Sequence, residues 1–181
     1  MKLVVVCLLV CLALGDNWAV LIAGSNTYSN YRHQADVYHS YQLMLKGGFD
    51  PERIITFAYD DIASHLTNPF RGKVFNKPTY KNPGEDVYHG VKLDYTKLAV
   101  TPEHFQAVLE GNKSAVAGKG TGRVLESTSE DNVFIFFSDH GAPGLIAFPH
   151  SHLYADKLLA TFTKMQGRYK KIVFYLEVHL C

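Results

Sequence analysis

The chain has 181 residues, enough to bury the core of one domain and too few for two domains of ordinary size. Hydrophobic residues make up 47% and charged residues 19%, a globular composition that excludes a disordered chain. A formal net charge of +1 gives no electrostatic reason to expect nucleic acid or an anionic membrane as partner.

At the start, Lys2 precedes the apolar run Leu3-Val-Val-Val-Cys-Leu-Leu-Val-Cys-Leu-Ala-Leu-Gly15. One positive charge, a short apolar stretch and a small-residue end predict a secretory signal peptide over residues 1–15, leaving Asp16 as the first mature residue. The run is too short to cross a bilayer, and no later stretch reaches the roughly 20 apolar residues required, so no membrane anchor is expected. Cys7 and Cys11 leave with the signal, and the remaining domain, 16–181, keeps Cys181 alone. Its core, not a disulfide, has to hold it together.

Asn17-Trp-Ala-Val-Leu-Ile-Ala23 is a continuous apolar run ending in Gly24-Ser25-Asn26, which predicts a strand buried on both faces and then a loop. Ala35, Tyr38, Tyr41, Gln42 and Leu45 fall at helical spacing, predicting a helix from Gln34 to Lys46 that Gly47-Gly48 stops. Ile54–Ala58 follows as a second strand, entered through Asp50-Pro51. Residues 59–100 are rich in Pro, Gly, Asn, Asp and Tyr without sustained periodicity, and so long an irregular insertion reads as functional surface. Thr101-Pro102 supplies an N-cap and a first-turn proline for a short helix through Leu109. Asn112-Lys113-Ser114 is a glycosylation acceptor in a secreted chain. Asn132–Ser138 is a third strand running into Asp139-His140-Gly141, Tyr154–Met165 fits a helix, and Lys171–Glu177 is a fourth strand.

This alternation predicts an α/β fold, an open and mainly parallel sheet with helices on both faces. Chemistry in such sheets collects at the carboxyl ends of the strands. Those ends carry Asn30 and Arg32, Asp60-Asp61, Asp139-His140 and Glu177. His140, followed by Gly141 and Pro143, can face a substrate that the glycine lets the backbone approach. Taken alone, the pattern suits equally well a histidine that only caps a strand.

Beyond these patterns, the stretch Ala23-Gly-Ser-Asn-Thr-Tyr-Ser-Asn30-Tyr-Arg32-His33-Gln-Ala-Asp36 resembles the N-terminal signature of the legumain family, the asparaginyl endopeptidases. Tyr59-Asp60-Asp61-Ile62-Ala63, Asn68-Pro69, Asp86-Val-Tyr-His-Gly90, Asp94-Tyr95-Thr96 and Val100-Thr101-Pro102 follow in the family's order. Ser138-Asp139-His140-Gly141 and Val173-Phe-Tyr-Leu-Glu177 complete a likeness covering residues 17–177. It implies a caspase-like fold and a thiol-dependent cleavage after asparagine, in peptide or protein substrates, with no cofactor. By the same likeness His140 is the catalytic histidine, Asn30 the third member of the set, and Asp139 an aspartate that can be carried as a succinimide. Arg32 and Glu177 would be walls of the pocket for the substrate's asparagine. A guanidinium and a carboxylate can read both ends of a carboxamide, which offers one acceptor and two donors. The compartment implied is the secretory pathway, lysosomal or endosomal or beyond the cell.

The likeness breaks after Glu177. The family continues Glu-Ala-Cys, whereas this chain reads Glu177-Val178-His179-Leu180-Cys181, so His179 stands in the nucleophile's place. Cys181 comes two positions late, about 6–7 Å along an extended strand. Attack geometry tolerates an error of roughly an ångström. The expectation is therefore the N-terminal part of a legumain-like peptidase domain, incomplete on its C-terminal side and inactive as written. Two other readings stay open: a non-catalytic homologue that binds Asn-containing peptides, and a subunit like the catalytic one of GPI transamidase, which shares Asn-Tyr-Arg-His and a strand ending in His-Gly. His140, Asp139 and His179 match no metal-ligand spacing motif, and no metal is expected.

Overall fold

The structure is a computed structural model that describes residues 15–77 and 84–180, with the side chains of His179 and Leu180 left aside. The predicted signal segment lies outside the described residues except for Gly15, and Cys181 lies outside them too. Among the described residues no helix is long and apolar enough to cross a membrane.

Strand β1 (Asn17–Ala23) is the heart of the sheet. It pairs in parallel with β2 (Ile54–Phe57) on one side and with β3 (Asn132–Ala142) on the other. A last strand, β6 (Lys171–Leu180), lies parallel to β3 on the side away from β1. The four strands expected to be parallel are parallel, in the order β2-β1-β3-β6. The sequence reading missed a hairpin. β4 (Leu145–Phe148) turns back antiparallel on the tip of β3 and pairs with β5 (Ser151–Tyr154), making the sheet mixed. Each of these strands has only four residues, and Gly144 at φ 82° supplies the left-handed turn between β3 and β4. Runs so short carry almost no period of their own.

Helices cover both faces, as expected of a caspase-like α/β domain. β1 shows how. Ala19, Leu21 and Ala23 pack with Ala35, Val37, Tyr38 and Tyr41 of α1 (Tyr31–Lys46) on one face. Val20 and Ile22 pack on the other with Phe105, Val108 and Leu109 of α2 (Pro102–Leu109), which also meets Met165 of α3 (Ala155–Met165). Side chains that alternate along a strand thus feed two separate cores, which is why the run had to be apolar throughout. The α2 start is as read: the Thr101 side chain accepts from the His104 amide at 3.2 Å and Pro102 opens the first turn.

Three boundaries at the carboxyl edge of the sheet differ clearly from expectation, one of them the end of β6, which runs on past Glu177 to Leu180. Helix α1 begins at Tyr31, not Gln34, so Arg32 and His33 belong to its first turn. Those residues are polar, and an apolar periodicity starts counting only after them. Strand β3 runs on through Ala142, so Asp139 and His140 are held within a strand, not on a loop beyond it. β6 and β4 pair with it there, fixing the backbone on which the histidine sits.

Candidate functional site

The register lines up the residues of interest. Ala23 of β1, Ser138 of β3 and Glu177 of β6 form one row across the sheet, and His140 and His179 face each other two residues further on. The chain leaving β1 turns at Gly24, whose amide donates to the Ser138 carbonyl at 3.1 Å. A Cβ at Gly24 would stand 2.6 Å from Asp139 Oδ2 and 2.6 Å from the Ala147 carbonyl oxygen, so no side chain fits there. Ser25 follows, and then the short turn that starts α1 with Asn30 as its N-cap.

Two polar ties hold that turn. Thr27, at the unusual φ of 71°, donates its amide to Asp61 Oδ2 at 2.7 Å, and Gln34 Nε2 donates to Asp61 Oδ1 at 2.7 Å. A β-branched residue in the left-handed region is strained and persists only where the surroundings over-determine it. Beside Asp61, Asp60 donates its amide to Gln34 Oε1 and accepts from the Tyr88 hydroxyl at 2.8 Å. Burial, and then the bond to the Asp60 carboxylate, push the Tyr88 phenol up to about 12. The irregular region after β2 therefore braces the loop after β1.

On this frame sits a chain of polar contacts. His140 Nδ1 lies 3.1 Å from Asp139 Oδ1, and an Arg32 guanidinium nitrogen lies 3.0 Å from His140 Nε2. Arginine can only donate, so Nε2 accepts and a neutral His140 carries its proton on Nδ1, donating it to Asp139. Asp139 is buried, and the same Oδ1 also lies 3.2 Å from His33 Nδ1. That nitrogen is 2.7 Å from Ser25 Oγ. The rings of His33 and His140 meet edge to face, centroids 4.8 Å apart. One carboxylate is thus shared by two imidazoles, one of them fully buried and the other partly open to solvent.

The structure brings His140, Asp139 and Arg32 together. Asn30 sits two residues before Arg32 and donates from Nδ2 to the Asn26 carbonyl at 3.0 Å. Glu177 is exposed on β6, in a shallow depression shared with Phe136, Phe174 and Leu176, and among the described residues it makes no ion pair with Arg32. Asn112 is exposed, its Oδ1 accepting from the Ser114 hydroxyl at 2.7 Å and the Ala115 amide at 3.2 Å. The sequence motif that holds Arg32 also holds Ser25 and His33, and neither was given a role. Nothing in local spacing could have found their link to Asp139, because more than a hundred residues intervene.

A mixed, mainly parallel sheet with helices on both faces thus carries a histidine beside a buried aspartate at the carboxyl ends of its parallel strands. Residues 17–180 match the Peptidase C13 family, and the chain belongs to it. It is 51% identical over 168 residues to a vacuolar-processing enzyme of Citrus sinensis, an alignment taking in 91% of this chain and 33% of that protein. It is also 48% identical over 165 residues to legumain of Rattus norvegicus, covering 90% of this chain and 37% of that protein. A hemoglobinase of Schistosoma mansoni is 50% identical over 166 residues, 91% of this chain and 37% of its own. The chain spans about a third of the length of these curated relatives.

Proposed function

We propose that this chain carries the histidine half of a legumain-type cysteine endopeptidase site that recognises asparagine before the scissile bond. In this reading His140 is the catalytic imidazole, Asp139 fixes its tautomer, and Asn30 completes the set from the N-terminus of α1. Arg32 and Glu177 take the substrate's carboxamide from two sides, which rejects apolar side chains because a bound substrate would then cover the guanidinium and carboxylate without pairing them. The observation that supports it most is the Arg32–His140–Asp139 chain, in which a guanidinium lies against an imidazole that a carboxylate meets from its other side. Residues 1–15 act as a secretory signal, Asn112 carries glycan, and the domain 16–181 works in a lysosomal or vacuolar compartment. The family relationship and the surface position of Asn112 support that placement.

His179 stands where the family's nucleophile belongs, and an imidazole cannot form the thioester that thiol catalysis requires. The chain itself is therefore proposed to bind Asn-containing peptides without cleaving them. Incubated with a peptide amide bearing asparagine, at acid pH with a reductant, the purified protein releases no product. In NMR the same peptide perturbs the Arg32 and His140 side-chain signals, and a leucine analogue does not. His179→Cys alone restores little cleavage. Thiol-dependent cleavage abolished by Cys181→Ala overturns the assignment of position 179, and equal perturbation by both peptides overturns the pocket.

A further inference from the structure

The buried Asp139 carboxylate poses an electrostatic problem. Among the described residues its ion-pair partners are His33 and His140, and an imidazole neutralises a carboxylate only when protonated. Arg32 reaches His140 and not the carboxylate itself. Asp139 is 1% exposed, and a carboxylate so buried is costly unless positive charge compensates it. Something positive belongs there.

We propose that His33, Asp139 and His140 form a binding site for one divalent transition-metal ion of the zinc type. One nitrogen from each ring and one carboxylate oxygen lie within 4.8 Å of one another. The two Nδ1 atoms stand 3.2 and 3.1 Å from Asp139 Oδ1. Those spacings are close to the edge of a tetrahedron with bonds of about 2.0–2.1 Å, roughly 3.3 Å. Two imidazoles and one carboxylate are a donor set that zinc accepts and that magnesium and calcium do not favour. Such a set leaves a fourth position for water or another ligand, here on the partly open side of His140. His179 occupies the register position beside His140 on the neighbouring strand. Gly24, with no Cβ to intrude on Asp139, keeps the carboxylate accessible, and Ser25 Oγ, 2.7 Å from His33 Nδ1, gives that nitrogen up when the metal binds.

Binding at His140 Nδ1 displaces the proton that the ring otherwise gives Asp139, and this proton passes to solvent. Metal affinity therefore falls as pH falls, because protons compete for the rings. The ring's Nε2 then carries hydrogen, and Arg32 must withdraw from it. Arg32 is thus an antagonist of the metal, by its charge and by its hydrogen bond. The inference rests on the cluster alone and stands whether or not the chain recognises asparagine.

The test uses the purified protein, titrated with Co²⁺ followed by visible absorption and with Zn²⁺ by calorimetry at pH 7.5. One ion per chain is expected, with the intense d–d bands of low-coordinate cobalt, and no displacement by millimolar Mg²⁺. Asp139→Asn and His140→Ala each weaken binding at least tenfold, and Arg32→Met strengthens it severalfold. Circular dichroism melts identify any variant that fails to fold, and Arg32→Met, far from the core, then serves as the second reading. Stoichiometric binding unmoved by His140→Ala and Arg32→Met, or carried by other histidines of the nine in the chain, overturns the proposal. So does the absence of any binding below millimolar metal.

Discussion

Strands β1 and β6 flank the same partner, run parallel to it, and are about equally apolar, yet their environments are opposite. Every residue from Ala19 to Ala23 is 0% exposed, whereas on β6 Val173, Tyr175 and Leu176 are 48%, 63% and 47% exposed. The difference comes from coverage. β1 has a strand on each side and a helix layer on each face, whereas among the described residues β6 pairs with β3 alone. An apolar strand is a statement about its environment, and of these two strands only β1 has that environment among the described residues. The same asymmetry divides the site. Arg32, His33, Ser25 and Asn30 hang from the β1 side, on a turn that Asp61 ties through Thr27 and Gln34 and with His33 against Asp139, whereas Glu177 and His179 lie on the open flank.

The comparison is most directly broken by equal truncations on the two strands. Leu21→Ala removes a fully buried side chain between β1 and α1 and is expected to cost about 3 kcal/mol. Leu176→Ala, half in solvent, is expected to cost at most about 1 kcal/mol. In thermal melts of a chain this size the first lowers the midpoint by about 10 °C and the second by about 3 °C or less. Equal losses mean that β6 is packed as firmly as β1, and the contrast disappears.

Sequence reading served the two flanks unequally for the same physical reason. Strands β1, β2 and β3 and helix α2 are legible because burial forces long apolar or amphipathic runs and caps are local signals, and β6 is legible because its run is apolar even where it is exposed. The β4–β5 hairpin is not, since two four-residue strands leave no period to count. At the site, His140 is legible as a histidine at a strand's end and the role of Asn30 comes from the family's motif. The sharing of Asp139 between His33 and His140 depends on how α1 lies against β3, a tertiary fact that local pattern does not encode. For Arg32 the family's motif implied a wall of the substrate pocket, and its contact with His140 is a tertiary fact that the motif did not suggest.

A second test concerns the amino ends of the strands, where the two flanks share an anchor. Asp131 accepts at Oδ1 from the Asp16 amide at the start of β1, and at Oδ2 from the Thr128 amide and hydroxyl. Its own carbonyl accepts from the Lys170 amide at 2.6 Å, just before β6. Burial alone would raise this carboxyl's pKa. The amides of Thr128 and Asp16, the Thr128 hydroxyl and the nearby Arg53 outweigh it, so the value lies below the ordinary range. With the folded pKa depressed, the ionised group stabilises the fold above the unfolded value of about 4, and the contribution fades as pH falls through the folded one. Asp131→Asn is expected to lose roughly 1–2 kcal/mol at neutral pH, and its deficit against the unmodified protein should shrink as pH drops below about 4. Urea melts at pH 7 and pH 3 measure both numbers. A deficit that stays the same at the two pH values shows that the carboxylate's charge contributes nothing.

The smallest effect on stability is expected at Tyr175, and it sharpens the comparison most. Val173 and Tyr175 lie two residues apart on β6 and therefore on one face, where Tyr175 meets Phe134 edge to face at 5.5 Å. With β6 unpaired on its outer side among the described residues, it combines exposed apolar surface with free backbone donors and acceptors. Such an edge recruits other strands, and a lysine on it is a common way of discouraging them. Tyr175→Lys removes little buried area, so its unfolding free energy is expected to stay within about 0.5 kcal/mol of the unmodified protein. Its association is expected to change instead. Size-exclusion chromatography with light scattering, run over a hundredfold range of concentration, should show the unmodified protein growing in mass and the variant staying closer to monomer. Adding Val173→Lys should complete the shift, because both residues serve one surface. If the double variant associates as strongly as the parent, β6 is not the sticky flank. A parent that remains monomeric throughout means that exposure on β6 has no consequence in solution, and the contrast with β1 is then one of burial alone.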